Sequence, residues 1–82
     1  MKIKELRDDL VEYLKKHDLT GKYVKAKKLF ESNPFYPSLR VELLEPRHRL
    51  IYSFRLDRKY RALFIYTESN EIEIIAFTNH YK

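Results

Sequence analysis

Near Pro37 the spacing of apolar residues changes from three-and-four to strict alternation, and few folds accommodate both halves. Before that point, Ile3, Leu6, Leu10 and Leu14 recur at helical spacing, with Lys, Arg, Asp and Glu between them. This stripe predicts a first helix running from the start of the chain to about His17–Asp18. Asp18-Leu19-Thr20-Gly21 then reads as a short link with capping side chains and one flexible residue. A second stripe, Leu19, Tyr23, Ala26 and Phe30 flanked by Leu29, predicts a second helix. Ser32-Asn33-Pro34 stops it, because the residue before a proline avoids the helical region. Two helices on so short a link pack as an antiparallel hairpin.

Beyond Pro37 the alternating runs are Leu39–Leu44, Leu50–Leu56, Tyr60–Thr67 and Ile72–Phe77. In the last of these, Ile72, Ile74 and Ala76 alternate with Glu73, Ile75 and Phe77. Asp57-Arg58-Lys59 and Glu68-Ser69-Asn70 have hairpin length, and Glu45–Arg49 with Pro46 is a slightly longer polar loop. The predicted fold class is α+β: an N-terminal helical hairpin packed on a C-terminal four-stranded antiparallel sheet, residues 1–82 forming one domain. The sheet face away from the helices is then left for solvent or a ligand.

Composition narrows the chemistry. A chain of 82 residues buries only about 60% of its unfolded surface, so the core is thin. Without cysteine there are no disulfides, thiol nucleophiles or thiolate zinc sites. Three scattered histidines, His17, His48 and His80, argue against a histidine metal site, and the single Gly21 rules out a glycine-rich phosphate loop. No apolar run approaches the ~18 residues of a membrane span and no signal-peptide pattern opens the chain. The expectation is a cytoplasmic protein with no membrane partner.

Seventeen Lys and Arg against twelve Asp and Glu give a net charge of +5, which favours a polyanionic partner. Eight of the lysines lie in the first 28 residues, whereas Arg40, Arg47, Arg49, Arg55, Arg58 and Arg61 crowd one central stretch. Lysines on helices commonly form a solvated face, while the planar fork of arginine suits phosphate. Arg61 falls inside the apolar run Tyr-Arg-Ala-Leu-Phe-Ile-Tyr and therefore on a strand. There it either holds a phosphate or pairs with a neighbouring acid or aromatic ring. Glu42, between Val41 and Leu43, has the position of a solvent-facing residue. His80 and Tyr81 follow the last strand, as terminal decoration or as part of a site.

The ordered series Asn33-Pro-Phe-Tyr-Pro-Ser-Leu39, Tyr52-Ser-Phe-Arg55, Asp57-Arg-Lys-Tyr-Arg-Ala-Leu-Phe64 and Asn79-His-Tyr81 resembles the RelE/ParE toxin superfamily. Its His-Tyr ending resembles the YoeB-type branch, and the likeness spans roughly residues 25 to 82. The resemblance implies a helical hairpin on a twisted antiparallel sheet. It also implies a toxin that cleaves messenger RNA on the ribosome and is neutralised by a cognate antitoxin. Its site residues fall on Arg61, His80, Tyr81 and, counting back from Tyr52-Ser53, on Glu42, with Glu45 three residues away as the other carboxylate. Arg47, Arg49, Arg55 and Arg58 are expected RNA contacts.

The chemistry implied needs neither metal nor other cofactor, because the 2′-hydroxyl beside the scissile phosphate is the nucleophile. Glu42 or His80 takes its proton, the other or Tyr81 protonates the 5′-oxygen, and Arg61 stabilises the phosphorane. Two other readings fit the same scaffold: a ParE-type poison of DNA gyrase, and a non-catalytic module that binds an antitoxin or RNA. The superfamily usually opens with a short strand. Here residues 1–5 either form a stub strand or leave an edge that pairs with an antitoxin segment or a second copy, as a homodimer.

Overall fold

The computed structural model describes residues 1–79. Strand β1 (Lys2–Ile3) opens the chain, followed by helices α1 (Asp8–Lys16) and α2 (Thr20–Ser32). Strands β2 (Glu42–Leu43), β3 (Tyr52–Arg55), β4 (Arg61–Glu68) and β5 (Glu71–Thr78) complete it, with short 3-10 turns at Pro37–Leu39 and Arg47–Arg49. The sheet has five strands in the order β1-β5-β4-β3-β2. The expected four-stranded meander is therefore present, and β1 adds a fifth strand parallel to β5. Among the described residues no helix is long and apolar enough to cross a membrane.

The first helix starts later than the Ile3–Leu6–Leu10 spacing predicts. Ile3 belongs to β1, where Lys2 and Lys4 donate their amides to the carbonyls of Asn70 and Ile72 at 2.8 and 2.9 Å. The Ile3 amide, pointing the other way, donates to Glu31 Oε2 at 2.9 Å and ties this edge strand to α2. An edge amide without that carboxylate would face another chain. Helix α1 then carries Asp8 and Asp9 in its first turn and Lys15 and Lys16 in its last, each matched to the helix dipole.

The turn between the helices also departs from expectation. Asp18, not Gly21, adopts the left-handed conformation, with φ of 56°. The amides of Asp18 and Leu19 donate to the carbonyls of Lys15 and Leu14, the Schellman pattern, and Leu14 and Leu19 bury their side chains together in the core. Gly21 sits in the first turn of α2 with nothing within 4 Å of the position a Cβ would take. Gly21→Ala is expected to raise stability by about 0.5–1 kcal/mol, read as a higher thermal midpoint, because only the unfolded chain gains by the glycine.

The core lies between the helices and one sheet face. Phe30 of α2 is fully buried, its ring stacked on Phe54 with centroids 5.1 Å apart and edge-on to Phe64 at 5.3 Å. Leu39, expected at the start of a strand, is buried from a 3-10 turn instead. Strict alternation also fails in β5. Leu63 faces Ala76 but Phe64 faces Ile74, so Ile75 is an extra residue in a bulge. The bulge resets the phase, and Phe77, not Ala76, joins Ile72 and Ile74 in the core.

Candidate active site

Arg61 begins β4 and, one residue before the core-facing Ala62, must project from the sheet face away from the helices. Its cross-strand neighbours there are Arg55 on β3 and Thr78 on β5. The next row on the same face is Glu42, Ser53, Leu63 and Ala76, one residue from each of β2, β3, β4 and β5. Arg61 leans into this row and its residue is only 5% exposed.

Among the described residues, acceptors that hold the guanidinium include a hydroxyl, a carbonyl and a carboxylate. Nε donates to Ser53 Oγ at 2.9 Å, and Nη2 donates to the carbonyl of Arg40 at 2.7 Å. The same Nη2 lies 3.1 Å from Glu42 Oε1, so a buried cation meets a carboxylate whose side chain is 55% exposed. Arg40 reaches this position because its backbone is left-handed, φ 45°, at the end of the Pro37–Leu39 turn. Ser53 is fully buried, and a serine at the centre of Tyr52-Ser-Phe-Arg is the sequence signal for it: a hydroxyl placed where an apolar strand residue would do for packing alone.

The structure thus brings Glu42 to Arg61, adds Ser53 and the Arg40 carbonyl, and leaves Glu45 in the loop before Pro46. The predicted arginines do not form one patch. Arg55 and Arg58 lie at the end of β3 nearer Arg61, where, with Lys25 and Arg40, they line an open groove of about 700 Å³ beside α2. Arg47 and Arg49 sit in the turn before β3, at its opposite end. His80 and Tyr81 lie outside the described residues.

Asp57 organises the turn at the Arg61 end. Its Oδ1 accepts the amides of Lys59 and Tyr60 at 2.8 and 2.7 Å, and its Oδ2 accepts Lys22 Nζ of α2 at 2.7 Å. Partial burial alone would raise its pKa, but the Lys22 and amide hydrogen bonds outweigh this and hold the carboxyl below the usual carboxylate range. A folded value below the unfolded one means stability is fully present above the unfolded value of ~3.9 and is lost as pH falls through the folded value. Asp57→Asn is expected to flatten the loss of stability between about pH 5 and pH 2, measured by urea unfolding.

No family model matches the sequence, and a search of curated proteins finds no match. Solved structures do match. A YoeB/ParE toxin from Agrobacterium tumefaciens superposes with a TM-score of 0.71 at 21% identity, covering 99% of this chain and 100% of that one. A YoeB–YefM complex from Staphylococcus aureus gives 0.68 at 20% identity, covering 99% and 98%. A heterotetrameric YoeB–YefM toxin–antitoxin complex from the same organism gives 0.67 at 20% identity, covering 98% and 94%. The expected resemblance therefore holds over the whole length of the architecture, β1 included: this chain has the fold of the YoeB/ParE toxins.

Proposed function

We propose that this chain is the toxin of a type II toxin–antitoxin pair and a ribosome-dependent endoribonuclease that cleaves messenger RNA in the cytoplasm. The observation that carries the reading is the contact between Glu42 and Arg61 on the sheet face away from the helices. A carboxylate able to take a proton beside a fixed guanidinium able to meet charge on a phosphate, 3.1 Å apart, suits cleavage of the RNA backbone by its own 2′-hydroxyl. The shared fold supports a partner as well, since two of the matching structures are complexes of YoeB with YefM.

In the proposed reaction the RNA 2′-hydroxyl attacks the adjacent phosphorus, and Glu42 takes the hydroxyl proton. The bond from phosphorus to the 5′-oxygen breaks, and His80, assisted by Tyr81, supplies the proton that leaves with it as a 5′-hydroxyl. Donors of the Arg61 fork meet the charge that builds on the phosphorane oxygens; fixed donors of this kind contribute about 10²–10³-fold. Ser53 and the Arg40 carbonyl keep the fork oriented, so no reorganisation is needed at the moment of reaction. The RNA brings its own nucleophile, and the protein supplies proton transfer and charge.

Controlled expression tests the reading. The expected result is growth arrest with new messenger ends mapping within translated codons. DNA damage in place of cut messengers would point to gyrase poisoning, and absence of toxicity to a non-catalytic binding module.

A further inference from the structure

At the end of β3 remote from Arg61, β4 runs on past its partner. The β3–β4 pairing stops at Tyr52↔Phe64, so Ile65 and Tyr66 extend beyond it. The overhang leaves a notch of about 300 Å³ lined by Arg49, Leu50, Tyr52, Ile65 and Tyr66. Tyr52 and Tyr66 meet at right angles, with ring centroids 5.2 Å apart and planes at 88°. Both rings of this corner are backed by Phe64, Tyr52 stacked on it at 5.6 Å and Tyr66 edge-on to it at 5.9 Å. Tyr66 remains 44% exposed and Leu50 58% exposed.

Leu50 is held in the left-handed conformation with φ of 55°, which costs a leucine energy and here turns an apolar side chain to solvent. It closes the Arg47-His48-Arg49 turn, and neither arginine has an acidic partner among the described residues.

We propose that this notch is a stacking site for one unpaired nucleobase of single-stranded RNA, with Arg47 and Arg49 contacting the phosphates on either side of it. This deepens the ribonuclease reading and rests on it. The notch is too small for a helix, which is about 10–12 Å across with its side chains. Every nucleobase has a flat face to lay on Tyr66, and Tyr52, at right angles to it, stands at the edge of a base so placed. Tyr66 lies five residues along β4 from Arg61, roughly 17 Å at strand spacing, and the odd separation puts it on the helix-facing side of the sheet, with Phe64. The notch is therefore remote from the scissile phosphate and grips a different part of the RNA strand, without taking part in the cut.

The test is fluorescence anisotropy of a labelled single-stranded RNA decamer carrying 2′-O-methyl groups, which binds but cannot be cut. Tyr66→Leu keeps an apolar side chain and removes the stacking face; it is expected to weaken binding about tenfold. Tyr66→Phe is expected to bind as the parent does, and both variants to keep the parent's thermal midpoint within a few degrees. Equal affinity of Tyr66→Leu and the parent would overturn the proposal, as would equal competition by duplex RNA of the same length. So would concentration-dependent dimerisation in sedimentation that Tyr66→Leu abolishes, since a second copy would then cover the notch. Because the decamer is inert to cleavage, loss of ribonuclease activity and loss of this site are read separately.

Discussion

Arg61→Lys is expected to lower the proposed ribosome-dependent RNA cleavage by about 10²–10³-fold in a chain that remains folded. The charge is preserved, so the loss reports geometry. Arginine reaches Ser53 Oγ with Nε and, from Nη2, both the Arg40 carbonyl and Glu42. A lysine carries its three donors on a single nitrogen at the end of an unbranched chain, so it cannot span the separate positions that Nε and Nη2 occupy, and it has no planar edge for two phosphate oxygens. Ser53 and the Arg40 carbonyl then lose a charged partner, costing about 1–3 kcal/mol of stability. Urea unfolding measures that cost, and single-turnover cleavage at a temperature where the variant is folded measures the rest. Equal cleavage by parent and Arg61→Lys would leave this arginine a structural cation joining β2 to β4.

Phe30→Ala is the largest expected stability effect, about 3–5 kcal/mol by urea unfolding. Phe30 is fully buried between two other rings, and the five-stranded sheet is too small to collapse onto the hole. Domains are stable by only about 5–15 kcal/mol in all, so the variant should be partly unfolded at growth temperature. Phe35→Ala, at 82% exposure, is the control and should change stability by no more than about 0.5 kcal/mol.

What the sequence makes legible is set by period and length. Both helices and the long strands β4 and β5 repeat their pattern often enough to be read. Periodicity does not show strand β1, because two residues carry no period and Ile3 happens to continue the spacing of α1; the stub strand offered for residues 1–5 comes from the resemblance alone, and it is present at Lys2–Ile3. The Ile75 bulge is invisible because Glu-Ile-Glu-Ile-Ile-Ala-Phe alternates well up to Ile74, and only the pairing with β4 reveals the extra residue. At Asp18 and Gly21, residue type misleads. An aspartate tolerates positive φ, and the fold uses it where the Schellman hydrogen bonds need it.

The site divides in the same way. Arg61 stands out because a strand of apolar residues contains it, whereas Glu42 follows only from the resemblance, by counting back from Tyr52-Ser53; its cross-strand pairing with Ser53 is not legible in the sequence. The Arg40 carbonyl leaves no trace, since any residue has one. The clustering of arginines between positions 40 and 61 misleads in space: β3 separates Arg47 and Arg49 from Arg55 and Arg58, although the sequence sets them only a few residues apart.

The central claim is that Glu42 and Arg61 together carry attack by a neighbouring 2′-hydroxyl. The most direct measurement is the chemistry of the ends that the purified protein leaves on a messenger held in programmed ribosomes, compared with Glu42→Gln. The parent is expected to leave 2′,3′-cyclic phosphate and 5′-hydroxyl ends, and Glu42→Gln at least about a hundredfold fewer of them. Ends bearing a 5′-phosphate, or undiminished cutting by Glu42→Gln, would contradict that claim.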